Sequence, residues 1–238
     1  MTIREEFDKR VTEINSFYEI LSIIELENPR ISAYKVEEET VSETELQINS
    51  SKIDTLRSTT YLLLYNLIES TVYNSVVSVF DEISDKGLKY FDIVEDVQKY
   101  WLNNLYKHDD KKKKETIIET IMNVAIHIFN DTIALTSTEI NYGGSLDAQT
   151  IFATAKSMRI DIASVHRIYD KNKHGQTLIE IKQKRNWLAH GEKSFIEVGS
   201  TSSFTQLQEA KDYVFTFLSE FISSVETYIA NQHYKISV

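Results

Sequence analysis

Cysteine is absent from the 238 residues, which removes disulfides, thiolate metal sites and cysteine nucleophiles at once and fits a reducing compartment. Proline occurs once and glycine six times, too few turn residues for a many-stranded sheet, and the shortage favours helices. No apolar run approaches the roughly 18 residues of a membrane span. The charged start MTIREEFDKR has no apolar segment behind it that would direct secretion, so a soluble cytoplasmic protein with no membrane partner is expected. A phosphate-binding loop, a Gly-rich dinucleotide fingerprint and a Gly-x-Ser-x-Gly elbow are all missing, and the expectation is a protein with no cofactor and no bound metal. Basic charge is in deficit too. With 26 Lys and Arg against 36 Asp and Glu, the formal net charge is -10, which argues against broad attraction to nucleic acid; any RNA contact must be local.

What the chain does have is helical periodicity over most of its length. A hydrophobic content of 42% in 238 residues suffices for one sizeable core, and a single domain over residues 1–238 is expected. Ile3, Phe7, Val11, Ile14, Leu21 and Ile24 recur at three- and four-residue steps, predicting a helix over 3–28 that Pro29 ends. The segment near 30–53 is rich in Glu, Ser and Thr and reads as a small β-hairpin or an irregular excursion. From Asp54, a candidate N-cap, to Ser84 runs the strongest helix, with an apolar face wide enough for a central position and Gly87 marking its end. Further helices are predicted over 92–106, 112–135, a short stretch ending at Met158 and capped by Ser145 or Asp147, then 177–190 and 204–231. A loop is expected around DKNKHG, and Lys111 to Lys114 read as a solvated helix start. The fold class is therefore all-α.

The stretch KQKRNWLAHGEKSF, residues 182–195, concentrates chemistry at the end of one of these helices. Asn186 and His190 stand at i and i+4 and share a face. The five-residue step from Arg185 to His190 turns the chain by about 500 degrees, so these two do not share a face by spacing alone. The long arginine can swing toward them, and Gly191 can supply the left-handed residue that terminates the helix. At a helix C-terminus the dipole favours a protonated imidazole. Arginine adds a planar fork matched to phosphate oxygens, and asparagine can orient the imidazole or hold a ribose hydroxyl. Those are the elements of phosphodiester cleavage in RNA without a metal: a base for the 2′-hydroxyl proton, a cation for the developing charge and an acid for the 5′-oxygen. One histidine cannot act as base and acid at the same instant, so a two-fold dimer apposing two helix ends would complete the site.

The sequence RNWLAHG resembles the Arg-x4-His motif, with a polar residue directly after the arginine, of the HEPN superfamily. YLLLYNLIESTVYNSVV is similar to the early HEPN helix that carries a glutamate, and GGSLDAQTIFATAKSMRID to the connector before the motif. The long helix after GEKSFIEVG is similar too, so the resemblance spans about residues 54–231 and leaves the first 53 outside it. It implies an all-α HEPN-like helical bundle and a homodimer with a composite active site. It also implies metal-independent endoribonuclease activity on an RNA substrate, as a toxin or phage-defence effector. Carried over by position, Arg185 and His190 would be the catalytic pair, Asn186 the polar residue after the arginine and Glu69 a supporting acid. The alternative is a non-catalytic HEPN interaction module, an antitoxin or defence-complex subunit that binds a partner protein or nucleotide. A cognate antitoxin or defence-system protein is a further expected partner.

Other constellations are weaker. His127/Asp131 and His166/Asp170 have spacing compatible with two metal ligands on one helix face, but without a third ligand nearby they read as surface pairs. Thirteen tyrosines could stack on bases, yet Tyr61, Tyr65, Tyr213 and Tyr228 fall at apolar-face positions where core packing explains them.

Overall fold

The computed structural model describes residues 2–26, 29–37, 40–106, 114–130, 133, 140 and 146–236. In chain order the elements are α1 (Ile3–Ile24), β1 (Arg30–Glu37), β2 (Thr40–Gln47), α2 (Ser50–Asp85), α3 (Glu95–Tyr106), α4 (Lys114–Asn130), α5 (Ala148–Ser157), α6 (Ala163–Lys171), α7 (Gln176–His190), α8 (Phe195–Gly199) and α9 (Phe204–Ala230). The protein is all-α apart from the β1–β2 hairpin, the one sheet among the described residues. The chain forms two compact units, Met1–Leu67 with Gln176–Thr216, and Ile68–Gly175 with Phe217–Val238. No helix among the described residues is long and apolar enough to cross a membrane.

In the first unit, α1 starts in a capping box: Thr2 Oγ1 accepts from the Glu5 N–H, and the Glu5 carboxylate accepts from the Thr2 N–H. Phe7, Ile14, Tyr18, Leu21 and Ile24 bury one face, and the Tyr18 hydroxyl donates to the Leu207 carbonyl of α9 at 2.9 Å. The helix stops at Ile24, short of the expected 28, where Glu25 turns its carboxylate to Arg57 of α2; residues 27 and 28 lie outside the described ones. Arg57 grips it with two nitrogens, Nε to Oε1 at 2.6 Å and Nη2 to Oε2 at 2.5 Å. The excursion after Pro29 is the antiparallel hairpin, in register from Arg30 opposite Gln47 to Glu37 opposite Thr40.

Helix α2 begins at Ser50, four residues before the expected start. Asn49 caps it by accepting the Lys52 N–H on Oδ1 at 3.1 Å, so Asp54 is an interior residue whose carboxylate lies 3.4 Å from Arg57. The five-residue α8 has its own capping box, Ser194 with Glu197, and packs its end directly on α2. At Gly199 a Cβ would fall 1.8 Å from the Asp54 carbonyl oxygen, so only glycine permits this approach of two backbones.

Buried in the second unit are Val72, Val76, Val79, Phe80 and Ile83 of α2, Val97 and Trp101 of α3, Ile151 and Ala155 of α5, and Phe221, Ile222 and Val225 of α9. Gly87, at φ 64°, ends α2 as expected, with the Leu88 N–H reaching back to the Ile83 carbonyl at 3.1 Å. Asp147, not the undescribed Ser145, caps α5 by accepting the Thr150 N–H at 2.8 Å. Helix α6 lies just before the predicted loop, and that loop places Lys173, His174 and Gly175 at positive φ. Helix α4 is described over Lys114–Asn130, within the predicted 112–135; Lys111 to Lys113 and most of the residues after Asn130 in that range lie outside the described residues.

Candidate functional site at the end of helix α7

Helix α7 buries Leu178, Ile181, Lys184 and Leu188, a stripe that would be ordinary but for the lysine. A buried ammonium must be paired and hydrogen-bonded to be tolerated. Lys184 Nζ donates to the Tyr61 hydroxyl at 2.9 Å and to Ser202 Oγ at 2.7 Å, and pairs with Glu180 one turn back at 2.6 Å. The ammonium also stands 4.5 Å from the centroid of the Tyr61 ring, and the Tyr61 and Ser202 oxygens are themselves 2.7 Å apart. One side chain thus ties α7 to α2 and to the turn before α9. Sequence reading missed it, although a lysine at the spacing of Ile181 and Leu188 carried the signal.

Arg185 follows directly and turns to the same helix. Its guanidinium carbon lies 4.3 Å from the centre of the Tyr65 ring, one turn along α2 from Tyr61, and its Nη1 donates to Asn186 Oδ1 at 3.1 Å. Both Arg185 and Asn186 are half-buried. The polar residue after the arginine therefore gives its carbonyl oxygen to the guanidinium. Tyr61 and Tyr65 are buried as expected, and their rings also serve as platforms for two cations.

His190 is the last residue of α7 and is exposed. Gly191 adopts φ 69°, its N–H meets the Leu188 carbonyl at 3.4 Å, and the Glu192 N–H meets the Trp187 carbonyl at 2.9 Å. This pairing of bonds is the Schellman termination, which presents the last side chain to solvent and leaves the negative helix end beside it. Space for a Cβ at Gly191 is open, so its φ alone calls for glycine.

Arg185 and Asn186 are thus brought together, and His190 stands one turn beyond Asn186. Glu69 lies on the part of α2 that belongs to the second unit, half-buried. Elsewhere, the His166 ring lies 4.2 Å from the Phe152 ring, and Asp170 pairs with Nδ1 of His174 at 3.2 Å. The pair His127/Asp131 falls outside the described residues, since Asp131 and the His127 side chain are not among them. Among the described residues no group of three or more His, Asp or Glu is placed to hold a metal ion.

Residues 1–234 match the family model described as HEPN_MAE_28990-like HEPN. That span includes the first 53 residues, which the resemblance read from motifs had left out. No curated protein and no solved structure matches the chain.

Proposed function

The chain belongs to the HEPN family, and from that premise and the geometry at the end of α7 we propose that it is a metal-independent endoribonuclease, a toxin or phage-defence effector. The observation that carries the reading is the placement of the motif arginine and histidine on the last turns of α7. A guanidinium is immobilised on Tyr65 and Asn186, and an imidazole is left exposed at the end of the same helix.

Arg185 binds the scissile phosphate and stabilises the charge that develops on its equatorial oxygens. His190 takes the proton from the ribose 2′-hydroxyl, and the 2′-oxygen forms a bond to phosphorus as the bond to the 5′-oxygen breaks. The 5′-oxygen receives its proton from a second imidazole, the partner's His190 across a two-fold homodimer that apposes two α7 ends. The products are a 2′,3′-cyclic phosphate and a 5′-hydroxyl. Asn186 acts through Arg185, holding the guanidinium in plane.

The test is incubation of the purified protein with cellular RNA in EDTA, wild type beside His190→Ala, with end-group analysis of the products. Cleavage by wild type alone, leaving cyclic-phosphate ends, is the expected result. RNA bound but left intact by the wild-type protein would overturn the enzymatic reading in favour of a non-catalytic HEPN module.

A further inference from the structure

Trp187 precedes His190 by three residues, so on α7 the two side chains occupy neighbouring positions on one face. The turn that ends the helix brings a third group to them. The Trp187 carbonyl accepts the N–H groups of both Glu192 and Lys193, at 2.9 and 3.4 Å, and the chain doubles back over its own last turn. Lys193 is thereby set above the indole, its Nζ 3.6 Å from the ring centre.

The two tryptophans of the chain differ in a way that bears on function. Trp101 is packed away at 3% exposure, whereas Trp187 keeps part of its surface in water. Trp187 stands half-buried, with the exposed Lys193 over its face, beside the exposed imidazole of His190. In a chain of net charge -10, the exposed Lys193 and the half-buried Lys182 and Arg185 bring basic charge to this part of α7, whereas the Lys184 ammonium is enclosed against Tyr61, Ser202 and Glu180. An aromatic face next to a local cluster of cations is the chemistry that holds single-stranded nucleic acid, the base on the ring and the backbone on the charges.

We propose that Trp187 and Lys193 form a nucleotide subsite beside His190, in which an RNA base flanking the scissile phosphate stacks on the indole and the Lys193 ammonium moves from the ring to the adjoining phosphate. The proposal rests on the ribonuclease reading for the identity of its ligand. Stacking of a base on an indole outweighs an exposed cation–π contact, so the exchange is favourable, and the displaced ammonium gains a charge partner. The fixed turn at Gly191 keeps both groups at a set distance from the reacting histidine.

Because Trp101 is buried, a change in tryptophan fluorescence on adding an oligonucleotide is assigned to Trp187. The experiment titrates the His190→Ala protein, which binds without cutting, with a short oligoadenylate, and measures steady-state cleavage of the same oligonucleotide by the His190-containing protein and its variants. Saturable quenching is expected, retained in a Trp101→Phe background. Trp187→Leu should weaken cleavage about tenfold, with the loss in KM rather than kcat. Lys193→Ala, at an exposed position that does not threaten the fold, should weaken oligonucleotide binding and reduce the slope of log affinity against log salt by about 0.7. Cleavage by wild type together with an unchanged KM in a cooperatively melting Trp187→Leu protein would overturn the subsite while leaving the ribonuclease reading intact. Quenching and the Lys193 salt effect without any cleavage by wild type would support the subsite and sink the ribonuclease reading instead.

Discussion

Replacing Gly199 by alanine tests whether the short helix after the motif is held by backbone contact. The new Cβ would stand 1.8 Å from the Asp54 carbonyl oxygen and 2.4 Å from its carbon, both main-chain atoms that no rotamer change can move aside. In a close-packed interior α8 must retreat from α2 by roughly 1.5 Å to restore contact distance. Overpacking of this kind costs about 1–3 kcal/mol when side chains absorb it, and the upper end or somewhat more applies where only backbone can give. Alanine recovers at most about 1 kcal/mol of helix propensity. The net loss expected is about 2–3 kcal/mol, a fall of roughly 5–10 °C in melting temperature for a chain of this size. Gly191→Ala supplies the internal control. Nothing lies within 4 Å of its Cβ, so only the left-handed φ is penalised, at about 1 kcal/mol. Chemical denaturation of the two variants beside wild type gives the order. A Gly199→Ala protein as stable as wild type, or more stable than Gly191→Ala, would refute the contact.

Lys184→Met keeps the buried stem and leaves the Tyr61–Ser202 hydrogen bond to stand alone, so it should cost about 1–2 kcal/mol, against about 3–4 for Lys184→Ala, which also opens a cavity. Urea unfolding separates them, and equal losses would mean that the ammonium, not the stem, supports α7. Arg57→Lys replaces a two-nitrogen grip on Glu25 by a point charge and should lose about 1–2 kcal/mol; a double-mutant cycle with Glu25→Gln that returned no coupling would contradict this. At the end of α9, Gln232 sits at φ 53° with its N–H bonded to the Ile229 carbonyl, a position that glycine fills without strain. Gln232→Gly should therefore stabilise the protein by about 0.5–1 kcal/mol, and a lower melting temperature would count against the strain argument.

How much of this was legible in the sequence depended on whether the governing interaction is local. The end of α7 was readable because a Schellman turn needs only glycine at the right place, and Gly191 stands there. The all-α class followed from period and from scarce turn residues. Helix α8 was also written locally, as Ser194 and Glu197 at capping-box spacing, yet five residues give too short a period to detect. The start of α2 misled because Asp54 and Asn49 are both good caps, and the choice was made by Arg57, which engages Asp54 from within the helix. The spacing of Lys184 with Ile181 and Leu188 marked it as lying on the buried stripe of α7, but not what would meet it there. Its partners Tyr61 and Ser202 lie 123 and 18 residues away, and nothing in a lysine's type says that its ammonium will be enclosed.

The same distinction explains why the first 53 residues escaped the motif resemblance although the family match includes them. None of the proposed site residues falls among them, so the motif did not mark them. Their contribution runs through packing. Tyr18 bonds to the α9 backbone, and Glu25 clamps Arg57 on α2, the helix whose next two turns present Tyr61 and Tyr65. Those rings in turn carry the ammonium of Lys184 and the guanidinium of Arg185. A segment that sets where α2 lies within the first unit therefore sets where the arginine of the motif points. The contacts that do this are the apolar face of α1 and the one carboxylate at its end, so the segment acts through packing.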